Sequence, residues 1–338
     1  MPDRSTRIAR FIEAHGWDGA TRRPLAGDAS FRRYDRLTLD GRRAVLMDAP
    51  PPQENVRPFL TLARHLRALG FSAPEILAAD EDAGLLLLED LGDDTYTKVL
   101  AKGGDEHALY GLAVDVLIDL HARPQQDAIP PGLPPYGNGR LLDEAFLLPQ
   151  WTMPEIFGEA PDEGVRRAYG DAWLELFPQV HVLPKTLVLR DYHVDNLIWL
   201  KERDGIRACG LLDFQDAVSG CPAYDLMSLL EDARRDIAPP LKAAMLARYF
   251  AGAPDIDRET FMTAFAILSA QRHAKVIGIF TRLSLRDGKS AYLAHLPRVW
   301  GLLEGALAHP ALTPVKAWFD RHIPESVRGV PSMGSRVS

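Results

Sequence analysis

The chain has 338 residues, and its 39 Lys and Arg against 46 Asp and Glu give a formal net charge of −7. This length suffices for about two domains, and a composition that is 46% hydrophobic and 25% charged is typical of a globular protein. The acidic balance excludes a global basic field, so we expect neither a nucleic-acid partner nor binding to an anionic membrane.

The cysteines and the first residues indicate the cellular compartment. Cys209 and Cys221 are too few for a disulfide framework, and neither lies in a pattern with zinc-ligand spacing. The opening segment, MPDRSTRIARFIEAHGW, has the pattern of a charged amphipathic helix and lacks the apolar core of a signal peptide. Charges also interrupt every apolar run before the roughly 20 residues that a bilayer requires. We therefore expect a cytoplasmic protein.

The segment from about residue 25 to residue 91 predicts a small antiparallel sheet that carries one helix. The runs FRRYDRLTL and RRAVLMD flank Asp40-Gly41, a sequence typical of a hairpin turn. Apolar residues then recur at helical spacing from Val56 to Leu69, and Gly70 ends the helix. The runs EILAAD and GLLLLEDL predict a second hairpin.

Helical patterns dominate from about residue 95 onward, with two short strands near residues 187 and 211. The sequence therefore predicts an α+β fold with a small β-rich N-lobe and a larger helical C-lobe. We place the nucleotide-binding N-lobe at residues 1–92, the catalytic and sugar-binding C-lobe at 93–325 and a flexible tail at 326–338.

The residues with the most informative chemistry follow those two short strands. The apolar run LVL leads to Asp191, and Asn196 comes five positions later. A second run, LL, ends in Asp213, and we expect the two strands to be adjacent. Carboxylate and amide oxygens suit Mg²⁺, which keeps water and phosphates at its other positions. The spacing leaves Asp191 to accept a proton from a hydroxyl while Asn196 and Asp213 hold the metal.

The pattern Asp191-x-x-x-x-Asn196 followed by Asp213 resembles the protein-kinase-like phosphotransferases of the aminoglycoside phosphotransferase and choline kinase type. Within them, GDASFRRY, VLMDAPP, RDYHVDN, LLDFQDAVSGCPAYDLMSLLEDARR and QRHAKVIGIFTRL look like the bacterial anomeric N-acetylmuramate/N-acetylglucosamine kinases. The resemblance covers roughly residues 25–323. It implies a bilobal protein-kinase-like fold and ATP-dependent phosphorylation, with Mg²⁺, of the C1 hydroxyl of these sugars in cell-wall recycling. We expect a monomer whose only partners are ATP and the sugar.

Two segments are candidates for nucleotide contacts. Gly27 and Ser30 frame a turn whose backbone N–H groups can cap phosphate oxygens, with Phe31 and Arg32 directly after it. Taken alone, this turn reads as an ordinary connection between strands. Its position in the chain relative to the other kinase motifs favours a phosphate loop. In the linker LEDLG the resemblance implies main-chain hydrogen bonds to adenine. By position we assign them to the two residues Glu89 and Leu91.

The chain departs from the protein-kinase pattern at two positions. Leu189 stands where kinases usually have His, so other groups must make the hydrogen bonds of that His. Met47 stands where the phosphate-binding Lys is expected, and Glu54, which we place on the following helix, has no assigned role in a Lys–Glu pair. We expect Arg32 or Arg33 to replace the missing charge, because Arg binds phosphate in a bidentate manner.

Further polar residues are candidates for sugar contacts. They are His193 and Asp195 in the catalytic loop, Asp216 after Asp213, and Glu144, Gln271, Arg272 and Lys275 on otherwise apolar helices. For His193 and Asp195 the alternative is a structural role. For Asp216 it is capping of a turn, and for the helix residues it is a solvated helix face. The resemblance also implies that Asp225 braces the catalytic loop, with N-capping of a helix as its alternative.

Two other functions remain open from the sequence. One is a kinase for another small alcohol, such as an aminoglycoside or choline, although the scattered acidic residues do not form the dense acidic pocket that a cation needs. The other is a nucleotide-binding pseudokinase, which Met47 and Leu189 favour and the intact Asp191, Asn196 and Asp213 oppose.

Overall fold

The computed structural model describes residues 3–25 and 31–330, and two compact units make up the chain. The first unit comprises residues 1–116 and 191–217, and the second comprises residues 117–190 and 218–338. In the described residues, no helix combines the length and the apolar character that crossing a membrane demands.

The strands are β1 (Thr21–Pro24), β2 (Arg33–Leu39), β3 (Arg42–Asp48), β4 (Ile76–Asp80), β5 (Leu85–Glu89), β6 (Thr186–Val188), β7 (Leu197–Trp199), β8 (Cys209–Leu211) and β9 (Val218–Gly220). The helices are α1 (Arg4–Ala14), α2 (Arg57–Ala68), α3 (Tyr96–Ala101), α4 (Glu106–His121), α5 (Gln125–Ala128), α6 (Asn138–Ala145), α7 (Met153–Phe157), α8 (Glu163–Val180), α9 (Ala223–Leu230), α10 (Pro239–Gly252), α11 (Arg258–Asp287), α12 (Leu296–Leu307) and α13 (Thr313–His322).

A five-stranded antiparallel sheet in the order β1-β2-β3-β5-β4 organises the first unit. Both predicted hairpins are confirmed. In the first, Asp40 and Gly41 have φ values of 50° and 79°, as the tight turn of a two-residue hairpin requires. The predicted helix is also confirmed as α2, and Gly70 follows it with a φ of 90°. Phe11 of α1 packs in the core of this sheet.

The two short strands near the predicted site are not neighbours, so that expectation was wrong. β6 pairs with β9 in the second unit, whereas β8 pairs with β7 in the first. β7 lies between the two strands in the chain and pairs with β8 across the loop 200–208, so β8 takes β7 and not β6 as its partner.

Helices form most of the second unit. Its 30-residue helix α11 begins at the N-cap Asp257, whose carboxylate accepts the N–H of Thr260, and ends at Gly288 with a φ of 68°. α11 packs against α6, α8, α9 and α12, so most of its side chains are buried. A sheet in the N-terminal region and a mainly helical remainder confirm the predicted α+β class.

The compact units differ in extent from the predicted lobes. The first unit extends beyond residue 92 to residue 116 and also takes in 191–217. Of the predicted tail, residues 326–330 are described, and Arg328 there pairs with Asp320 at 3.1 Å. The rest of the predicted tail lies outside the described residues. The assignment of a nucleotide-binding lobe, a sugar-binding lobe and a flexible tail stays a prediction.

Candidate active site

The first unit brings together the three residues predicted to carry the chemistry. The side-chain amide of Asn196 donates from Nδ2 to the backbone oxygen of Asp191 at 2.9 Å. The same Nδ2 lies 3.4 Å from Oδ2 of Asp213, whose Oδ1 accepts from Gln215 at 2.8 Å. Asp213 has a φ of 57°, a left-handed conformation that costs energy for a residue other than glycine. A strained backbone that carries a carboxylate held by two amides is typical of a functional site.

The other predicted polar residues of the first unit, in the catalytic loop and after Asp213, contact neighbouring side chains. His193 is buried, and its Nε2 lies 3.4 Å from Nδ2 of Asn196. Asp195 accepts a hydrogen bond from the hydroxyl of Thr97 on α3. Asp216 is exposed, and Gln215 approaches its carboxylate at 3.5 Å. Sugar contact by these residues stays a prediction.

A cavity of about 280 Å³ lies in the first unit beside Asn196 and Asp213. Its apolar lining includes Leu25, Val45, Phe59, Leu88, Leu91, Ile198 and Leu212. Apolar walls with a few convergent polar groups are typical of a small-molecule site. A larger cavity of about 740 Å³ lies beside α1, but none of the predicted site residues lines it.

The segment after β5 also lines the smaller cavity, and both predicted hinge residues belong to it. The carboxylate of Glu89 pairs with Arg203 and with Arg67, the latter at 3.3 Å, so its side chain is already engaged. The backbone N–H of Leu91 has no hydrogen-bond partner among the described residues. The N–H of Leu91 is therefore available to a ligand, whereas the backbone N–H of Glu89 donates to the backbone oxygen of Glu75 at 2.9 Å.

Only part of the predicted phosphate loop can be located. Gly27 and Ser30 lie outside the described residues. The side chain of Phe31 is 69% exposed, and its backbone N–H donates to the Glu54 carboxylate at 3.1 Å. Arg32 forms an ion pair with Glu54 at 3.5 Å. Glu54 was predicted on a helix, but it lies in the loop before α2, because that helix begins only at residue 57.

In the second unit, the carboxylate of Glu144 is the centre of a buried polar cluster. It accepts from the guanidinium of Arg190 and the hydroxyl of Tyr136, and it lies 3.1 Å from the ammonium of Lys275. Burial acts to raise the pKa of Glu144, but the cations of Lys275 and Arg190 outweigh burial and hold the pKa below its usual range. Glu144 is therefore ionised at neutral pH, with three donors around its carboxylate.

The polar residues of α11 are buried, which contradicts the solvated helix face that was their alternative. Arg272 donates to the backbone oxygen of Arg190 at 3.0 Å and to the hydroxyl of Tyr224 at 2.9 Å. Gln271 donates to the backbone oxygen of Leu141 at 2.9 Å. The side-chain oxygen of Gln271 is buried and has no partner among the described residues.

Asp225 holds the backbone that leads to the catalytic loop, as predicted. Its fully buried carboxylate accepts the N–H groups of Leu189 at 2.6 Å and Arg190 at 2.9 Å. The N-capping alternative is wrong, because Asp225 lies inside α9, after the N-cap Pro222. Arg190 has a φ of 71°, so these hydrogen bonds support a left-handed residue.

Sequence reasoning missed three participants: Tyr136, Arg190 as a partner of Glu144, and Glu54 as a partner of Arg32. Tyr136 and Arg190 lie 8 and 46 positions from Glu144, and Glu54 lies 23 positions from Phe31. No local spacing rule connects such positions. The only signal was the presence of ionisable residues next to predicted motifs.

The donor set suits Mg²⁺ and does not suit a metal that needs a protein cage. Among the described residues, no group of three or more His, Cys, Asp and Glu could hold a metal ion. One carboxylate from Asp213 and one amide oxygen from Asn196 remain as ligands. Mg²⁺ is bound in this way, by one or two protein oxygens together with water and substrate phosphates.

The sequence matches the model of the phosphotransferase enzyme family over residues 21–261. The chain belongs to this family. It is also 37% identical to the N-acetylmuramate/N-acetylglucosamine kinase of Caulobacter vibrioides, over 96% of this chain and 98% of that protein. It is 39% identical to the enzyme of the same name from Pseudomonas aeruginosa, over 89% of each chain. The predicted family resemblance is therefore confirmed.

Solved structures share the fold. A choline/ethanolamine kinase family protein from Mesorhizobium loti has a TM-score of 0.63 at 15% identity, over 94% of this chain and 99% of that chain. The streptomycin-ATP-APH(2")-IIa ternary complex has a TM-score of 0.57 at 18% identity, over 87% of this chain and 97% of that chain. These similarities confirm the predicted kinase-like fold.

Proposed function

We propose that this protein is a kinase that transfers a phosphoryl group from ATP to the anomeric hydroxyl of N-acetylmuramate and N-acetylglucosamine. The observation that carries the proposal is the arrangement of Asp191, Asn196 and Asp213, linked through the Asn196 amide beside a cavity with apolar walls. Relatives that are 37% and 39% identical over most of the chain are named as kinases of these two sugars. A role in cell-wall recycling follows from these substrates.

Asp191 is the proposed catalytic residue. Its carboxylate orients the sugar hydroxyl and accepts the proton as the oxygen attacks the terminal phosphorus of ATP. The hydrogen bond from Asn196 to the backbone oxygen of Asp191 fixes the loop in which this carboxylate lies. When bound between Asn196 and Asp213, Mg²⁺ supplies positive charge for the phosphate oxygens.

The nucleotide is proposed to occupy the cavity beside these residues. The apolar walls, Val45 and Leu212 among them, suit the flat face of adenine. The N–H of Leu91 donates to the base, and Glu89 contributes through its main chain. Gly27, Ser30, Phe31 and Arg32 are proposed to contact the phosphates.

The residues predicted from the sequence to contact the sugar stay proposed contacts. They are His193, Asp195, Asp216, Glu144, Gln271, Arg272 and Lys275. The unpartnered oxygen of Gln271 supports this, because it can accept from a sugar hydroxyl or an acetamide N–H. The ammonium of Lys275 matches a lactyl carboxylate in charge.

The anomeric position is proposed on chemical grounds. The ring oxygen withdraws charge from C1, so the C1 hydroxyl is more acidic than an ordinary sugar alcohol and needs less assistance from a base. This suits a catalytic loop with Leu189 in place of His.

The test is ATP consumption with N-acetylglucosamine, N-acetylmuramate and their methyl glycosides, with the products assigned by phosphorus NMR. We expect turnover of both free sugars to the 1-phosphates and none of the glycosides, whose C1 oxygen carries no proton. Phosphorylation of the glycosides at a comparable rate would place the transfer on another hydroxyl. Turnover of only an aminoglycoside or choline, or of no acceptor, would establish one of the two alternative functions.

We further propose that the protein acts as a monomer in the cytoplasm. Both cysteines are unpaired and buried, as expected for a protein in a reducing compartment. Light scattering coupled to gel filtration, with a mass near 37.5 kDa, tests the monomer.

A further inference from the structure

The strand position expected to carry a phosphate-binding Lys contributes no charge. Met47 lies on β3, in register with Tyr34 on one side and Leu86 on the other. Its side chain is 1% exposed and belongs to the hydrophobic core. An enzyme of this fold with Met47 needs another cation for the phosphates, since their negative charge must be balanced in a site that excludes water.

Arg32 is a cation held by a specific carboxylate. Its side chain is 11% exposed, and its guanidinium lies 3.5 Å from the carboxylate of Glu54. Glu54 also accepts the backbone N–H of Phe31 at 3.1 Å. One carboxylate therefore holds both the backbone and the guanidinium of this segment.

Arg32 lies within electrostatic reach of Asp213 at the candidate metal site. Burial acts to lower the pKa of the guanidinium, but its interactions with Tyr34, Asp213 and Glu54 outweigh burial and raise that pKa. Asp216 adds to them. The guanidinium thus stays ionised and interacts electrostatically with Asp213, the carboxylate proposed to bind Mg²⁺.

The neighbouring arginine does not share this environment. Arg33 is exposed at the start of β2, where it lies opposite Asp48 in the ladder. Arg32 lies before β2 and pairs with Glu54, whereas Arg33 is the first residue of the strand, so the two adjacent arginines have different surroundings. The structure separates the two candidates that the sequence left open.

We propose that Arg32, held by Glu54, binds the ATP phosphates in place of the strand Lys that Met47 has replaced. The proposal rests on the proposed ATP-dependent function and assigns its phosphate-binding residue. As in the Lys–Glu pair of protein kinases, a cation is paired with a glutamate. Here the cation comes from the residue before β2 and the glutamate from the loop before α2. A guanidinium can contact two phosphate oxygens at once, whereas an ammonium acts as a point charge.

The test compares the dissociation constants of ATP, ADP and adenosine by calorimetry, with and without Mg²⁺. We expect Arg32→Ala to weaken ATP and ADP at least about tenfold and to leave adenosine unchanged, because only the phosphates lose a charge-assisted contact. Arg32→Lys should give an intermediate loss. The matched control is Arg43→Ala, an exposed arginine on β3, which should bind all three ligands as wild type does.

Three results would overturn the proposal. They are unchanged ATP affinity in Arg32→Ala, an equal loss of affinity for adenosine and ATP in that variant, and a phosphate-selective loss in Arg33→Ala instead.

Glu54→Gln provides a second measurement, because its amide oxygen still accepts from Phe31 but its charge is lost. We expect it to weaken ATP several-fold with adenosine unaffected. Since these readouts involve no sugar, a failed proposed function appears separately, as wild-type protein that binds ATP but phosphorylates neither sugar.

Discussion

The carboxylate of Asp225 accepts the backbone N–H of Arg190 at 2.9 Å, and thereby supports a left-handed residue immediately before Asp191 in the chain. The same carboxylate holds the N–H of Leu189 at 2.6 Å. This buried Asp therefore fixes the backbone of the two residues that precede Asp191 in the chain.

The first prediction follows from this contact. Asp225→Asn keeps the shape of the side chain but removes its charge and one acceptor, so a buried N–H loses its partner. We expect the free energy of unfolding to fall by about 2 kcal/mol in urea titrations, with a drop in kcat. Asp171→Asn, an exposed change on α8, is the control and should alter neither. Wild-type stability and kcat in Asp225→Asn would show that the brace is dispensable.

The second prediction concerns the proposed base. Asp191→Asn removes the proton acceptor, so we expect kcat to fall by about 10² to 10⁴-fold while ATP affinity stays near that of wild type. Steady-state kinetics and calorimetry measure the two quantities. Asp204→Asn, an exposed change in the same unit, should leave both unchanged. A near-normal kcat would remove Asp191 from its role.

The third prediction separates the metal ligand from the base. Asp213→Ala removes a carboxylate proposed to bind Mg²⁺. We therefore expect that ADP affinity no longer depends on Mg²⁺ and that turnover is lost. Titrations of ADP at several Mg²⁺ concentrations measure this. If the dependence is the same as in wild type, Mg²⁺ is held by other groups.

The fourth prediction concerns acid stability. Burial lowers the pKa of His121 to about 3 from an ordinary value of 6.5. The unfolded chain therefore binds a proton below pH 6.5 that the folded chain does not, and stability is lost as the pH falls from 6.5 towards 3. The contribution is complete above pH 6.5.

His121→Gln retains a polar partner for the Tyr249 hydroxyl, which lies 2.8 Å from the His121 ring. Between pH 7 and pH 5 the wild type should lose about 2 kcal/mol more than this variant in urea unfolding. His107→Gln, an exposed change on the same helix, should behave as wild type. Parallel losses in wild type and His121→Gln would mean that other groups cause the acid sensitivity.

The sequence by itself determined the features that depend on short spacing. Asp40-Gly41 forms a hairpin because the two residues can adopt the positive φ values of that turn. Asp191 and Asn196 come together because they are five positions apart in one loop, and the same motif, followed by Asp213, was sufficient to identify the family.

The tertiary structure decided which distant charges meet. Arg32 and Arg33 are equivalent in sequence, but in the fold Arg32 pairs with Glu54 and is largely buried, whereas Arg33 is exposed. Glu144 takes its partners from positions 136, 190 and 275, and no periodic pattern relates them. Local spacing is fixed by backbone geometry, which the sequence reveals directly. Long-range pairing is fixed by how whole elements pack, and only the folded chain shows that.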